Sequence, residues 1–457
     1  MSKTYRPWEP GQSLLFPPSP LDWLPEGHLA RFVLDVVDEL ELGPIMTHYE
    51  REMRGYPPHH PKMMVALLLY AYSVGVPSSR KIEKRCHEDI AFRVITGNTQ
   101  PDHSCISEFR RIHLEALAGL FLQVLKLCQA AGLVKLGHVS LDGTKLKANA
   151  SKHKAMSYAY MKKRDDELSE QIAKLLQAAE QADGEEDARY GKGRRGDELP
   201  TELQRAETRR ARIRQLKAEL EAEAKAQREA AAAEAASVRD KSDDEPRDPP
   251  GSSPLPTHKV PTTTEGTPTD KAQRNFTDGD SRIMKTGDGF VQGYNCQSVV
   301  DAAHQIIVAQ EVTNQPPDVE HLLPMLEQTI ANCGAVPDEM TADAGYLSEA
   351  NIIGAIERGV DPHIATGRHK HGEPALTARG RTPRGLTLKE LMARKLATRA
   401  GAAIYARRKA IAEPPFGQMK NRGFRQFLLR GIAKVRGEWS LITMSHNLLK
   451  LYSASVA

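Results

Sequence analysis

Cysteine is scarce. Five residues, Cys86, Cys105, Cys128, Cys296 and Cys333, are scattered over 457 positions without a C-x-x-C pair. That spacing signals neither a zinc ribbon nor a disulfide framework and fits a reducing cytoplasm. Cys86-His87 with His103 and Cys105 matches no standard zinc pattern. The start, Met1 to Pro10, lacks the apolar core of a signal peptide. The longest apolar run, Met63 to Tyr72, is too short to span a bilayer. A cytoplasmic location and no membrane partner are therefore expected.

Net charge is small, +4, but unevenly placed. Thr366 to Lys450 holds 19 Lys/Arg against 4 Asp/Glu, a net +15 that leaves −11 for the rest. A charge run is ordinarily a solvated face. An imbalance sustained over a whole segment points instead to a polyanion, with salt-dependent affinity as phosphates are neutralised.

Residues 1–135 read as a helical N-terminal domain. Pro61 opens a helix through Met63, Leu67, Leu68 and Tyr72 that ends near Gly75. Pro77-Ser-Ser starts a second. Asp102 or Ser104 caps a third through Ile106, Phe109 and Ile112, with Arg110 and Arg111 outward. Short helices with tight breaks and exposed arginines suit a helix-turn-helix-like DNA reader; a plain helical packing domain gives the same pattern.

His138 to Asp142 alternates as a strand, and Gly143 supplies a turn after it. The strand pattern then stops. Leu168, Ile172, Leu175, Ala179 and Ala182, and later Leu203, Ala206, Ile213, Leu216 and Leu220, form apolar stripes. They predict an antiparallel, coiled-coil-like hairpin over 155–237, turning between Gly184 and Pro200. Its two ends lie close together, so excising it is expected to leave a folded core. Residues 238–272, rich in Asp, Pro, Ser and Thr, read as a disordered linker.

The sheet resumes at Gly289. Phe290 to Asp301 and His304 to Thr313 form a hairpin turning at Asp301-Ala-Ala-His. A helix (Val319 to Cys333), a strand (Glu339 to Asp343), a helix (Ser348 to Arg358) and a strand (Asp361 to Ala365) follow. His369-Lys-His371 reads as a basic loop, and Trp439 as core among Leu441, Ile442 and Leu448. Taken alone, this is an α/β chain with a mixed sheet.

Three acids stand out. Asp142 and Asp343 end short apolar strands, where α/β sheets gather functional side chains. Glu413 lies in the basic helical segment. Local readings of each are a turn Asp, a helix-capping Asp, and a surface partner for Arg407 or Arg408. Brought together, the three make an oxygen-rich cage suited to Mg²⁺.

Several blocks occur in order: Leu141-Asp-Gly-Thr-Lys-Leu-Lys-Ala-Asn-Ala150, Asp280-Ser-Arg-Ile-Met-Lys285, Val291-Gln-Gly-Tyr-Asn295, Ala342-Asp-Ala-Gly-Tyr346, Glu413-Pro-Pro-Phe-Gly-Gln-Met-Lys420, and Phe427-Leu-Leu-Arg-Gly431 leading to Glu438-Trp439 and His446-Asn447. With the segment from Pro61 to Arg111, they resemble a bacterial insertion-sequence transposase of the DDE type over most of the chain outside roughly residues 155–270. The resemblance implies an RNase H-like catalytic domain over 136–154 and 273–457. Flanking helices, the helical N-terminal domain and the hairpin insertion complete that architecture. It implies cleavage at the ends of a mobile element and joining of the 3′-hydroxyl to target DNA by two-metal in-line displacement. Asp142 would bridge two Mg²⁺ ions, with Mn²⁺ as a substitute, and Asp343 and Glu413 would each hold one.

Double-stranded DNA is then the partner, with a homodimer in the synaptic complex. Lys420, Arg422, Arg425, Arg430, Arg408, Lys145, Arg110 and Arg111 are the expected DNA contacts. Similar transposases set a Tyr, an Arg and a Lys around the Glu. Lys420 keeps that spacing, whereas Tyr405 and Arg408 each lie one residue farther away and Lys409 takes the expected Arg position. Pro414 predicts a kink at Glu413, with Gly417 relieving close packing. A nuclease of the same fold without strand transfer, or a non-catalytic DNA-binding derivative, are the rival readings.

Overall fold

A computed structural model describes residues 19–50, 58–190, 201–240, 255–287, 289–367, 378 and 380–456. The basic loop at His369 and the tip of the predicted hairpin from 191 to 200 lie outside them. The chain divides into two compact units, Met1–Gln123 with Leu451–Ala457, and Val124–Lys450. No single helix among the described residues is long and apolar enough to cross a membrane.

The first unit is helical: α1 (Leu29–Glu39), α2 (Gly43–Glu50), α3 (Pro61–Ser73), α4 (Ser79–Glu88), α5 (Ile90–Ile95), α6 (His103–Ile112) and the start of α7 (Leu114–Ala130). The longest apolar run becomes α3, buried from Met64 through Ser73, so its hydrophobicity serves a core. His60 caps α3 and Asp102 caps α6 through the Cys105 N–H. The last residues of the chain return here, where the Tyr452 hydroxyl donates to the Gly27 carbonyl at 2.6 Å. The predicted boundary at 135 takes no account of that return.

Arg110 corrects the expectation of two outward arginines. It is buried and donates to the Pro77 carbonyl at 2.8 Å, the Tyr72 hydroxyl at 3.2 Å and Ser79 Oγ at 3.2 Å. Three acceptors converge on its guanidinium and fix the α3–α4 turn, so it is unavailable to DNA. Arg111 is exposed, as expected, and pairs with Glu108 one turn earlier.

The second unit carries strands β1 (His138–Lys147), β2 (Ala155–Ser157), β3 (Gln273–Asn275), β4 (Arg282–Thr286), β5 (Gly289–Asp301), β6 (Ile307–Thr313), β7 (Glu339–Ala342) and β8 (Asp361–Ile364). Its further helices are α8 (Tyr158–Tyr190), α9 (Thr201–Asp240), α10 (Leu322–Cys333), α11 (Glu349–Glu357), α12 (Leu388–Leu396), α13 (Arg399–Asn421) and α14 (Ile432–Ser455).

The main sheet runs β6-β5-β1-β7-β8, with β4 also on β5. β1 is antiparallel to β5 and parallel to β7, which is parallel to β8. This is the RNase H-like mixed sheet. β5 is long enough to take β4 along its first residues and β6 along its last. At Gly293, which pairs with both Lys147 and Arg282, an added Cβ would lie 2.4 Å from the Leu146 carbonyl oxygen, so only glycine fits.

Two predicted turns shift. β1 continues through Asp142 and Gly143 to Lys147, paired with β5 throughout. Gly143 is therefore not a turn residue; it makes room for Gln297, whose Nε2 would be 2.6 Å from an added Cβ. The β5–β6 turn runs from Ala302 to Ile306, with Gln305 in the left-handed region at φ 58°, longer than the predicted four residues. Outside the insertion, the ends of the elements named from the sequence shift by up to three residues, while β2, β3 and β4 have no counterpart in that reading, which resumes the sheet only at Gly289.

The insertion is an antiparallel helix pair. Leu168, Ile172, Leu203, Ala206, Ile213, Leu216 and Leu220 of the predicted stripes are buried together, with Leu175 beside them. Asp165 on α8 pairs with Arg210 and Arg214 on α9, and the Tyr158 hydroxyl donates to Glu221 at 2.5 Å. α8 runs on to Tyr190, through part of the predicted turn. β2 and β3 pair antiparallel and close its base.

The predicted linker is corrected in its second half; 241–254 lies outside the described residues. Leu255, Val260 and Ala272 are buried, and Val260 and Ala272 join the helix-pair core. The Val260 N–H donates to Gln227 on α9 at 3.0 Å. Few apolar residues suffice here because α9 already presents a packed face.

Candidate active site

β1 and β7 run parallel with Ser140 opposite Thr341. Two residues on from that pair, β1 carries Asp142 and the chain just past the end of β7 carries Asp343, where neighbouring strands lie about 4.8 Å apart. Asp343 begins a short turn, and its Oδ1 accepts the Gly345 N–H at 2.8 Å. The capping reading of Asp343 is thus correct, and capping leaves Oδ2 available.

Side chains of a strand alternate between faces, and β1 shows it. Asp142 and Thr144 meet α13: Arg408 Nη1 lies 3.2 Å from Asp142 Oδ2, and Lys420 Nζ donates to Thr144 Oγ1 at 2.6 Å. Lys145 points to the other face and binds Asp318 at 3.0 Å. Asp318 also accepts from Asn295 at 2.6 Å and Gln297 at 2.8 Å. Lys145 is thereby engaged in a structural ion pair, a correction to its expected DNA contact.

Burial pushes the Asp142 carboxyl up to about 6, and the nearby charges of Asp343 and Glu413 push the same way. Arg408 and the Gly143 N–H, which donates to Asp142 Oδ1 at 2.9 Å, oppose them. Asp343 and Glu413 therefore each lie within electrostatic reach of Asp142. Glu413 is exposed and forms no ion pair among the described residues, so it is not a surface partner for Arg407 or Arg408. No three Asp, Glu, His or Cys side chains form a closed ion cage among the described residues.

Arg408 resolves the ambiguous spacing. One residue on a helix is a rotation of about 100°, and it is Arg408 that turns toward Asp142 while Lys409 is exposed. Its guanidinium lies 6.0 Å from the centre of the Tyr405 ring. Asp142, Tyr405, Asp343 and Glu413 all favour its charged form against burial.

α13 is continuous through Pro414 and Pro415, where the sequence predicts a kink. Pro414 has no N–H for the Ala410 carbonyl. Gln305 Nε2 supplies the missing donor at 2.8 Å. Gln305 is held in turn by Lys450 Nζ on its Oε1 at 2.8 Å and by His446 Nε2 on its carbonyl at 2.9 Å. Gly417 has nothing within 4 Å of an added Cβ, so close packing is not its role. Gln305→Ala is expected to cost about 0.5–1.5 kcal/mol by removing that hydrogen bond, since water reaches the exposed Ala410 carbonyl. Urea unfolding reads it, and an unchanged midpoint would remove Gln305 from the support of α13.

Arg425 and Arg430 are exposed on the segment after α13; Arg430 Nε donates to the Asn149 carbonyl at 3.0 Å. Arg422 is half-buried, and burial lowers its basicity. The Phe427–Gly431 turn is anchored by buried Glu438, which accepts the Leu428 and Leu429 N–H groups at 2.9 Å. Trp439 is core, as expected, stacked at 14° on Phe416. Sequence reasoning missed Thr144, Asp318 and Gln305. Only Thr144 carried a signal, by alternating with Asp142.

Residues 18–111 match the family model described as a transposase domain (DUF772). Residues 253–448 match the one described as a transposase DDE domain. No curated protein and no solved structure gives a match. The second match begins downstream of Asp142, so that residue's place rests on β1 and its register with β7. Two matches that both name transposition, on either side of the insertion and over an RNase H-like sheet, place the chain among the DDE transposases of insertion sequences.

Proposed function

We propose that this DNA transposase cuts phosphodiester bonds at the ends of its element and joins the freed 3′-hydroxyl to target DNA, with Asp142, Asp343 and Glu413 as its metal-holding acids. The observation that carries the reading is the largely buried Asp142 carboxyl with the charges of Asp343 and Glu413 acting on it. Its carboxyl is pushed up to about 6 although Arg408 touches it. One guanidinium does not balance three carboxylates.

The donor set fits Mg²⁺, a hard ion usually held by one or two carboxylates plus substrate oxygens rather than by a closed protein cage. Two bound Mg²⁺ ions, or Mn²⁺, would stabilise the attacking and leaving oxygens of an in-line displacement. The chain's own residues do the rest. β1 and β7 set two acids side by side, and α13 brings the third. Lys420, steered by Thr144, and exposed Arg425 and Arg430 offer positive charge to phosphates, with Arg422 beside them. Positioning and charge stabilisation suffice without a covalent enzyme intermediate. The helical residues up to 135 supply further DNA contacts, and two copies pair the element ends in the cytoplasm.

The test is joining of pre-cleaved element ends to a target plasmid. Joined product is expected with Mg²⁺ or Mn²⁺ and none with a chelator. Cleavage of uncut ends without joining would make the chain a nuclease. Binding with neither reaction would make it a DNA-binding derivative.

A further inference from the structure

An open groove of about 1150 Å³ lies between α9 and the β2–β3 ladder at the root of the insertion. Its charged side chains are all basic or His: His153, Lys154, Arg205, Arg209 and Arg212, with no Asp or Glu in the lining. Gln204, Thr208 and Ser157 add neutral polar groups. Lys154, Arg205 and Arg209 are exposed and form no ion pair among the described residues. Other arginines of the helix pair are engaged: Arg210 and Arg214 with Asp165, Arg164 with Glu167, and Arg228 with the Glu265 carbonyl. Arg205, Arg209 and Arg212 follow an i, i+4, i+7 spacing and so form one stripe along α9. That stripe lines the groove with three arginines on one flank of α9.

We propose that this groove binds the phosphate backbone of the element's duplex about one helical turn inside its end. Arg, Lys, Gln, Ser and Thr are the usual donors to phosphate, and a polyanion is the ligand whose charge complements a groove without acids. Ten residues separate Asp142 from Lys152, next to the groove, which caps their separation at about 36 Å; one turn of duplex, about 34–36 Å, lies at that limit. Asn149 lies between the two along the chain, and Arg430, bonded to its carbonyl, continues the basic track. The proposal rests on Asp142 marking the point of cleavage.

The test is metal-free binding of two duplexes carrying the inverted repeat that flanks the coding sequence, one of about 30 base pairs and one of about 8, each ending at the cleavage point. Lys154→Gln, Arg205→Gln and Arg209→Gln are combined. On the long duplex the salt slope of log K should become shallower by ~2.7, about 0.9 per lost phosphate contact. Affinity should fall at least about ten-fold, and hydroxyl-radical protection about ten base pairs from the end should disappear. The short duplex should bind as before. Arg205→Lys with Arg209→Lys should keep the slope, which separates lost charge from damaged folding. An unchanged slope and footprint on the long duplex, or an equal loss on the short one, would overturn the proposal. Footprinting the Asp142→Asn variant distinguishes the two readings: groove protection that persists while cleavage also persists would sink the assigned acids and leave the groove standing.

Discussion

Asp142→Asn, Asp343→Asn and Glu413→Gln are each expected to abolish end cleavage, by at least about a thousand-fold, or roughly 4 kcal/mol of barrier. Each change keeps volume and removes one charge that would hold Mg²⁺. DNA binding should persist, because the exposed basic groups are untouched. Asp142→Asn has a second, opposite signature in the ligand-free chain. A carboxyl raised from 3.8 to about 6 holds its proton more tightly folded than unfolded. Stability therefore falls as pH rises from about 4 to about 6, and the penalty stays in full above that window. The neutral isostere removes a penalty on the order of 2–3 kcal/mol at pH 8. The variant should be inactive and yet melt higher at pH 8 than the parent, with the difference gone below pH 4. A variant that cleaved near normally would strike that residue from the site, and a lower melting point at pH 8 would refute the burial argument.

Replacing residues 156–270 with a short Gly/Ser linker should destabilise the catalytic unit, against the expectation from sequence that the hairpin is separable. Arg274 on β3 and Arg282 on β4 are buried and stay behind. Arg274 pairs with Glu223 on α9 and lies 3.6 Å from Glu219 and 3.7 Å from Asp280, while Arg282 lies 3.8 Å from Glu223. Burial already lowers the basicity of Arg282, with Arg274 adding to it and Glu223 opposing. Removing one partner of a buried ion pair costs about 3–5 kcal/mol. Glu223 is 37% exposed, and water offsets part of that, so Glu219→Gln with Glu223→Gln should cost about 2–3 kcal/mol. Urea unfolding of the full chain is the measurement. If neither the double variant nor the excision moved the midpoint, the insertion would be the independent appendage that its sequence suggests.

Much of the site was legible because each acid comes with a local signature. Asp142 and Asp343 follow alternating apolar residues, and Glu413 sits in a basic helix with Lys420 two turns on. The basic set was less legible. Arg110, Lys145 and Arg408 look alike in sequence, as cations near motif residues. Folded, Arg110 knits the α3–α4 turn, Lys145 neutralises Asp318 and Arg408 neutralises Asp142. A cation's partner is set by contacts far off in sequence, 33 residues for Arg110 and Pro77 and 266 for Arg408 and Asp142, and no local pattern encodes them.

By itself the sequence determined the helical N-terminal segment, the strand-helix order from β5 onward and the apolar stripes of the insertion, and it singled out the three candidate acids. These follow from periodicity and residue type, which act over a few neighbours. Tertiary structure decided the rest. It carried β1 past Asp142, because β5 offers pairing partners as far as Gly293. It kept α13 helical across Pro414, because Gln305 donates the hydrogen bond that proline cannot. It also tied the insertion to the sheet, because Arg274 and Arg282 are buried where Glu219, Glu223 and Asp280 are their acidic partners among the described residues. In each case a group stranded by its own segment is satisfied by one distant in sequence, and the fold alone brings that group within reach.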